Sequence, residues 1–482
     1  MILVIFSITL QLGWISSFRL LVLVFGAMII LLNLRLKQLF LSTFLLTLFM
    51  LPLFNPNKYT TIEVIHGTEI FEPLYKEGYL LGYGLNITNI GILGSFLTLF
   101  LNARRGKINL INLLRLVPPP IIIASTGFLL VGLGTSINLS AFKEASVVWM
   151  LQYFQLFTIA LLLIYYLKYF KREAHLLQVV FVVSIFFQFI LLLRQFLNQS
   201  FIGLPIETGF GSGFATGLDE INTLFRVAGS LSSHNELALI TLILMTFVGP
   251  HSLYTKNKWF ILSLIAGAIT IVLTQSRSVW IAAFIVIIVT VKMYGAEIRK
   301  WIKKTYSWRL AIFTAALVTL LSWVIVPRIL LSANAVYEGA GIPARLRVFD
   351  EGMQAFVLNP WLGYGVGTNE YVLHSLFPNG ITTVFPTAIH FGLLQLALEV
   401  GIVGVFCFLY PFIHVLRRLV NLKIIGATKT ETKFNHAARY RFITGSVVFF
   451  IYYLFLPHVG IIEFPYLGLV LGYGLAASQK ML

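Results

Sequence analysis

The sequence predicts an all-α polytopic membrane protein, one integral membrane domain over residues 1–482 that crosses the bilayer in about 12–14 transmembrane helices. Three observations predict it. The chain is 58% hydrophobic and only 11% charged, against about 25% charged in soluble domains, and its mean hydropathy is +0.89. Apolar runs of the roughly 20 residues needed to cross a hydrocarbon core recur from end to end. The basic residues, 35 against 18 acidic, gather in alternate gaps between those runs. The net charge of +17 could suggest a nucleic-acid partner, but the bias of basic residues toward the cytoplasmic side accounts for most of it. No nucleic acid is expected.

The runs fall at 2–16, 18–33, 38–54, 78–102, 109–132, 148–169, 175–197, 235–250, 258–274, 277–295, 309–327, 391–416, 439–457 and 459–477. The first two are short, which is why the count is a range. The first 16 residues lack a basic leader and a small-residue cleavage site, so they read as a retained first span. Basic residues sit at Arg35 and Lys37; at Arg104, Arg105 and Lys107; at Lys168, Lys171 and Arg172; at Lys256 and Lys258; at Arg299, Lys300, Lys303 and Lys304; and from Arg417 and Arg418 to Arg439 and Arg441. These are every second gap. All of them can be cytoplasmic together, with both termini on that side and the protein in the cytoplasmic (inner) membrane. The single cysteine, Cys407, lies in an apolar run, which excludes intrachain disulfides and cysteine-based metal sites.

The remaining gaps face out, and two are long: 198–234, and 328–390 before the last three helices. Both carry aromatic and apolar residues, so they should pack over the bundle as re-entrant or interfacial structure. Within the second, Leu346, Phe349, Met353, Phe356 and Val357 fall at helical spacing between Pro343 and Asn359-Pro360. That pattern predicts an amphipathic helix near the outer membrane surface. Gly363-Tyr364-Gly365-Val366-Gly367 then makes a flexible turn.

Four polar constellations on the outward side could carry chemistry. In Thr274-Gln275-Ser276-Arg277-Ser278, Ser276 is a plausible N-cap and Arg277 falls in the first helical turn. A cation there is unfavourable for the helix itself, and the pair makes sense if an anion binds; otherwise Arg277 snorkels to lipid phosphates. In Arg226-Val227-Ala228-Gly229-Ser230-Leu231-Ser232-Ser233-His234-Asn235, His234 and Asn235 either cap the next helix or meet a sugar. Arg345 and Arg347 stand about 200° apart around their helix, so one can face the bundle while the other faces water. His390 precedes Gln395, Glu399 and Gly401 as the chain re-enters the membrane. Glu399 would lie roughly 13 Å deeper, where a carboxylate is costly and so functional or paired. No DxD pair, HExxH motif or Cys/His cluster occurs, so neither a metal nor another cofactor is expected. Gly211-Ser212-Gly213 lacks the GK[ST] of a nucleotide-binding loop.

The order of these residues resembles the O-antigen ligase/polymerase family: Arg226-x-x-Gly229…Asn235, Ser276-Arg277, Arg345 with Phe349, Pro360-x-x-Gly363-x-Gly365, then His390 with Glu399, Gly401 and Gly404. The resemblance covers about 200–404 together with the hydropathy profile. It implies a GT-C-like membrane fold and transfer of glycan from a polyprenyl-diphosphate-linked donor to a glycan, lipid or protein hydroxyl. The transfer would occur at the outer face of the cytoplasmic membrane, without metal or nucleotide. It also implies that Arg277 and Arg345 engage the diphosphate, with His390 as base for the acceptor. Arg226, His234, Asn235, Arg347 and Glu399 would then line the substrate site. Phe391 stands where Asn commonly follows the histidine, and Ser278 where Gly or Thr often follows the Ser-Arg pair.

Guanidinium groups suit the implied task, because they stay charged and bind phosphate bidentately. A histidine, with an ordinary pKa of about 6.5, can take up a hydroxyl proton at neutral pH. The rival class is a transporter or flippase for a lipid-linked glycan or anionic solute. Repeated halves with matching broken helices would mark it, and Pro118-Pro119-Pro120 has no counterpart elsewhere in the chain.

Overall fold

The structure, a computed structural model, describes residues 2–11, 18–52, 87–106, 109–140, 143–202, 204, 227–231, 233–255, 257–305, 322, 342–384, 389–421, 429–455 and 463–479. Among these the secondary structure is helical. The helices are α1 (Ile2–Gln11), α2 (Phe18–Leu36), α3 (Leu39–Met50), α4 (Ile87–Arg104), α5 (Leu110–Leu114), α6 (Pro119–Asn138), α7 (Lys143–Tyr169), α8 (Ala174–Asn198), α9 (His234–Thr255), α10 (Lys258–Leu273) and α11 (Arg277–Thr305). Then come α12 (Ile342–Leu358), α13 (Asn369–Leu376), α14 (Ile381–Val384), α15 (Gly392–Asn421), α16 (Lys429–Phe455) and α17 (Glu463–Ser478). Six described helices are long and apolar enough to cross a membrane, and three shorter ones are also apolar. The protein is an all-α polytopic membrane protein. The apolar run at 309–327, apart from Ser322, and the gap at 55–77 lie outside the described residues.

The expected run at 109–132 is two elements. A short helix ends at Leu114, and Pro118 and Pro119 then open α6 at its cap and first turn, where a missing N–H is harmless. The helix expected at 277–295 runs on to Thr305, bent at Tyr294, whose φ and ψ of −125° and 17° are not helical.

Side-chain pairing fixes the direction of each helix. Gly468 and Gly472 let α17 approach the backbone of α7 at Leu156 and Ala160, the close approach that small residues four apart permit. With the Tyr153–Phe464 ring contact at 4.0 Å, α7 and α17 run parallel. Phe128 of α6 packs on Phe408 of α15, and Gly404 faces Val131, so those two are antiparallel. Thr290 bonds Tyr440 at 2.7 Å, while Tyr294 meets His436 edge-on, making α11 antiparallel to α16. Gly267 lies against Met245 and Phe260 against His251, which sets α10 antiparallel to α9. Gly445 against Val470 and Gly474 against Phe442 set α16 antiparallel to α17. Val415 against Gly474 and Phe408 against Tyr153 set α15 parallel to α17 and α7. Ser276 bonds Asn235 across the starts of α11 and α9, so the starts of α7, α9, α11, α15 and α17 share one end of the bundle, hereafter the loop end.

Arg441, placed by the charge pattern in a basic gap, is only 4% exposed. Its Nε donates to the Phe247 carbonyl at 2.9 Å, and its guanidinium lies 4.9 Å from the Tyr473 ring centroid. It clamps α16 to α9 just before Pro250, the one proline inside α9, where the regular hydrogen-bond ladder is interrupted.

Candidate active site

Just before α9, residues 227–231 dip into the bundle without helical structure. Val227, Ser230 and Leu231 are fully buried. Backbone at that depth has to find partners inside the protein, and two glutamines of α8 supply them. Gln195 reads both sides of Gly229: its Nε2 donates to the Gly229 carbonyl at 2.8 Å and its Oε1 accepts from the Gly229 N–H at 2.9 Å. Gln188, two turns deeper, donates to Ser230 Oγ at 2.7 Å and to the Pro52 carbonyl, and accepts from the Ser230 N–H at 3.2 Å. Gly229 has φ +61°, and a Cβ there would collide with Gln188 Oε1.

This re-entrant turn feeds α9. The expected cap was His234 or Asn235, but Ser233 takes that role: its Oγ accepts from the Glu236 N–H at 3.2 Å. Ser-x-x-Glu is a capping box, and a hydroxyl one residue before the helix suits the geometry better than an imidazole within it. Asn235 is thereby free to reach across. Its Oδ1 accepts from Ser276 Oγ at 2.7 Å, joining two segments 41 residues apart. Ser276 holds the N-cap position of α11, with its carbonyl accepting from Trp280 N at 3.0 Å. Trp280 Nε1 closes the hairpin onto the Ile271 carbonyl at 3.0 Å. Arg277 is the first residue of α11. It stands beside a helix N-terminus whose capping serine has turned its hydroxyl toward Asn235.

The second half of the site is the large loop. α15 is broken at Gly401, whose φ of 65° and ψ of 179° are not helical and suit glycine alone. The break orphans carbonyls on one side and N–H groups on the other, and the segment 360–365 satisfies both. Tyr364 N donates to Leu398 O and Gly365 N to Glu399 O, both at 2.9 Å, while Ile402 N donates to Pro360 O at 2.8 Å. A Cβ on Gly401 would collide with Trp361 O, and one on Gly363 would meet the Glu399 carbonyl carbon at 2.6 Å. The Pro360-x-x-Gly363-x-Gly365 and Gly401 motifs are thus two sides of one junction. Burial pushes the Tyr364 phenol up, so it stays a donor, bonding the Ala355 carbonyl of α12 at 3.1 Å.

Glu399 is 2% exposed. Its Oε1 accepts from Asn369 Nδ2 at 2.9 Å and from Gln395 Nε2 at 3.1 Å, tying the start of α13 to α15. Glu351 of α12 accepts from Ile381 N at 2.7 Å, so α12, α13 and α14 form one block with a small core of Val348, Ala355, Leu373, Ile389 and Leu398. His390 is half-buried in the bend before α15. Next to it, Phe391 meets Phe349 of α12 edge-on at 5.5 Å, which brings the turn preceding Phe349, where Arg345 lies, toward the histidine segment. Arg345 and Arg347 are both exposed.

The structure thus brings Asn235 to Ser276 and Arg277, joins the Arg345 helix to the His390 bend, and sets both groups at one end of the bundle. Arg226 and residues 211–213 lie outside the described residues. Sequence reasoning passed over Gln188, Gln195, Ser233 and Asn369, and also Glu463, a carboxylate 1% exposed at the start of α17. Only Ser233, in its Ser-x-x-Glu box, left a readable signal. Among the described residues, no group of three or more His, Cys, Asp or Glu is placed to hold a metal ion.

Residues 262–409 match the protein family described as O-Antigen ligase. The matched stretch takes in Arg277, Arg345, Arg347, His390 and Glu399, and begins after Arg226, His234 and Asn235. No curated protein matches the chain.

Proposed function

From the match of residues 262–409 to the family described as O-Antigen ligase, we propose that the protein is of the O-antigen ligase/polymerase type and transfers or polymerises glycan from a polyprenyl-diphosphate-linked donor at the outer face of the cytoplasmic membrane, in cell-surface polysaccharide biosynthesis. The observation that carries the proposal is that the matched stretch contains Arg277, Arg345 and His390 together, on segments that the fold gathers at its loop end.

In this reaction the bond between the anomeric carbon and the donor phosphate oxygen breaks, and a bond to the acceptor hydroxyl oxygen forms. The leaving diphosphate gains negative charge. Arg277 and Arg345 hold that charge, each hydrogen bond to it being worth roughly 1.5–3 kcal/mol, and more where water is excluded. The N–H groups that open α11 add to the same field. His390 takes the proton of the acceptor hydroxyl. Attack opposite the leaving group inverts the anomeric centre. Asn235, through Ser276, and the glutamine-held turn keep the Arg277 hairpin in place, with Arg226 and His234 on the donor side. Glu399, whose Oε1 accepts from two amides, positions the loop block, and Arg347 meets the glycan from the water side. The acceptor is a glycan, lipid or protein hydroxyl. A broken helix such as α15 would also suit a transporter, but the 360–365 segment fills that break with backbone bonds.

The test is transfer by purified protein in liposomes, supplied with polyprenyl-diphosphate glycan and acceptor. Arg277→Ala, Arg345→Ala and His390→Ala should each reduce product at least a hundredfold while the protein still inserts and elutes as the wild type does. Wild-type product from all three variants would refute the assignment, as would strict dependence on an added divalent metal.

A further inference from the structure

We propose that α12 is a docking surface for phospholipid, seated in the leaflet at the loop end of the bundle, and that this seat sets the height of Arg345. The seat stands on the geometry alone; its consequence for Arg345 rests on the function proposed above.

At about 100° per residue, α12 sorts its side chains into three faces rather than two. Val348, Gly352 and Ala355 are buried against α15 and the loop block. Leu346, Phe349, Met353 and Val357, at spacings of three and four, form a separate apolar stripe that the protein leaves open, with Leu346 61% and Val357 67% exposed. Arg347, Asp350 and Gln354 form the third face, where Gln354 Nε2 donates to Asp350 Oδ2 at 3.0 Å. Leu358, at the helix end, is the exposed apolar residue off the stripe. The partner of the open stripe must be apolar on one side of the helix while water wets the other. A bilayer surface has that form.

Beyond the helix, further open apolar residues lead toward the membrane-crossing helix α15. Trp361, 68% exposed, follows α12 and accepts at its carbonyl from Val403 N. Beyond the Gly401 break, Ile402, Val403 and Phe406 of the span α15 are open in turn. An apolar path therefore runs from α12 through Trp361 onto the outside of a membrane-crossing helix. Indole at that junction fits the headgroup level where tryptophan is enriched. Around the helix, Arg345 falls about midway between the buried face and the open stripe, whereas Arg347 lies on the polar side. A seated α12 holds Arg345 at the plane of phosphates and turns Arg347 to water.

The experiment uses the full chain with Cys407→Ser, carrying either Met353→Cys or Gln354→Cys labelled with an environment-sensitive fluorophore, in phosphatidylcholine–phosphatidylglycerol liposomes. Doxyl lipid should quench the Met353→Cys label at least threefold more than the Gln354→Cys label, and aqueous iodide should reverse that order. Equal quenching at the two sites would overturn the seat. So would disulfide cross-linking of two unlabelled Met353→Cys copies, which would make the stripe an interface between chains. With the seat established, Met353→Asp combined with Val357→Asp should lower glycan transfer at least tenfold in correctly inserted protein. Full transfer by that variant would overturn the role assigned to the seat in placing Arg345, and would leave the function itself standing if Arg277→Ala remains inactive.

Discussion

Arg277 was conspicuous in the sequence because it opposes the dipole of its own helix, a cost that only an anion repays. The structure adds the reason it is held firmly: Ser276 next to it is bonded to Asn235, so the arginine springs from a turn fixed to two helices. Lysine keeps the charge but loses the planar fork that engages two phosphate oxygens. Arg277→Lys should therefore lower transfer about 10–100-fold, the equivalent of one charge-assisted bond of roughly 1.5–3 kcal/mol. Steady-state rates in liposomes check this, and a rate within twofold of wild type would show that point charge alone suffices. Gln188 and Gln195 illustrate the opposite case. A glutamine in an apolar helix looks the same in sequence whether it bonds another helix, a water or a distant turn, so the Gly229 contact could not be foreseen.

At the scale of elements, the apolar runs were readable because hydrocarbon thickness dictates their length. The amphipathic loop helix was readable from its periodicity. What periodicity could not reveal was which of the faces of α12 met protein, because Val348, Gly352 and Ala355 are smaller than the residues left open. The break in α15 was hidden for a related reason. Glycine is common in membrane helices, and Gly401 and Gly404 look alike in sequence although Gly401 alone has a positive φ. Gly401→Ala is the sharp test of that junction. Its φ and ψ cost a non-glycine residue roughly 1–3 kcal/mol, and its Cβ would strike the Trp361 carbonyl. The segment 360–365 should loosen, and amide exchange at Tyr364 and Gly365, whose N–H groups bond Leu398 and Glu399, should quicken about 10–100-fold. Unchanged exchange would mean that the loop holds to the bundle by other contacts.

For the whole molecule, charge and packing give two independent routes to one arrangement. The helix directions derived from ring contacts and glycine approaches use no charge at all. They nevertheless place Lys168 at the end of α7, Lys258 at the start of α10 and Arg418 at the end of α15, all opposite the loop end. Packing makes these ends coincide, and the positive-inside bias gives the expectation for their side, the basic end in the cytoplasm. The expected result is then specific. In the Cys407→Ser background, Lys171→Cys and Arg418→Cys should react with a membrane-impermeant maleimide only after cells are opened, while Asn379→Cys, exposed in the loop block, should react in intact spheroplasts. Labelling of Asn379→Cys and Arg418→Cys from the same side would break the shared-end geometry. Labelling of all three in the reverse sense would keep that geometry and invert the protein, putting Arg277, Arg345 and His390 in the cytoplasm, where the proposed outer-face reaction could not occur.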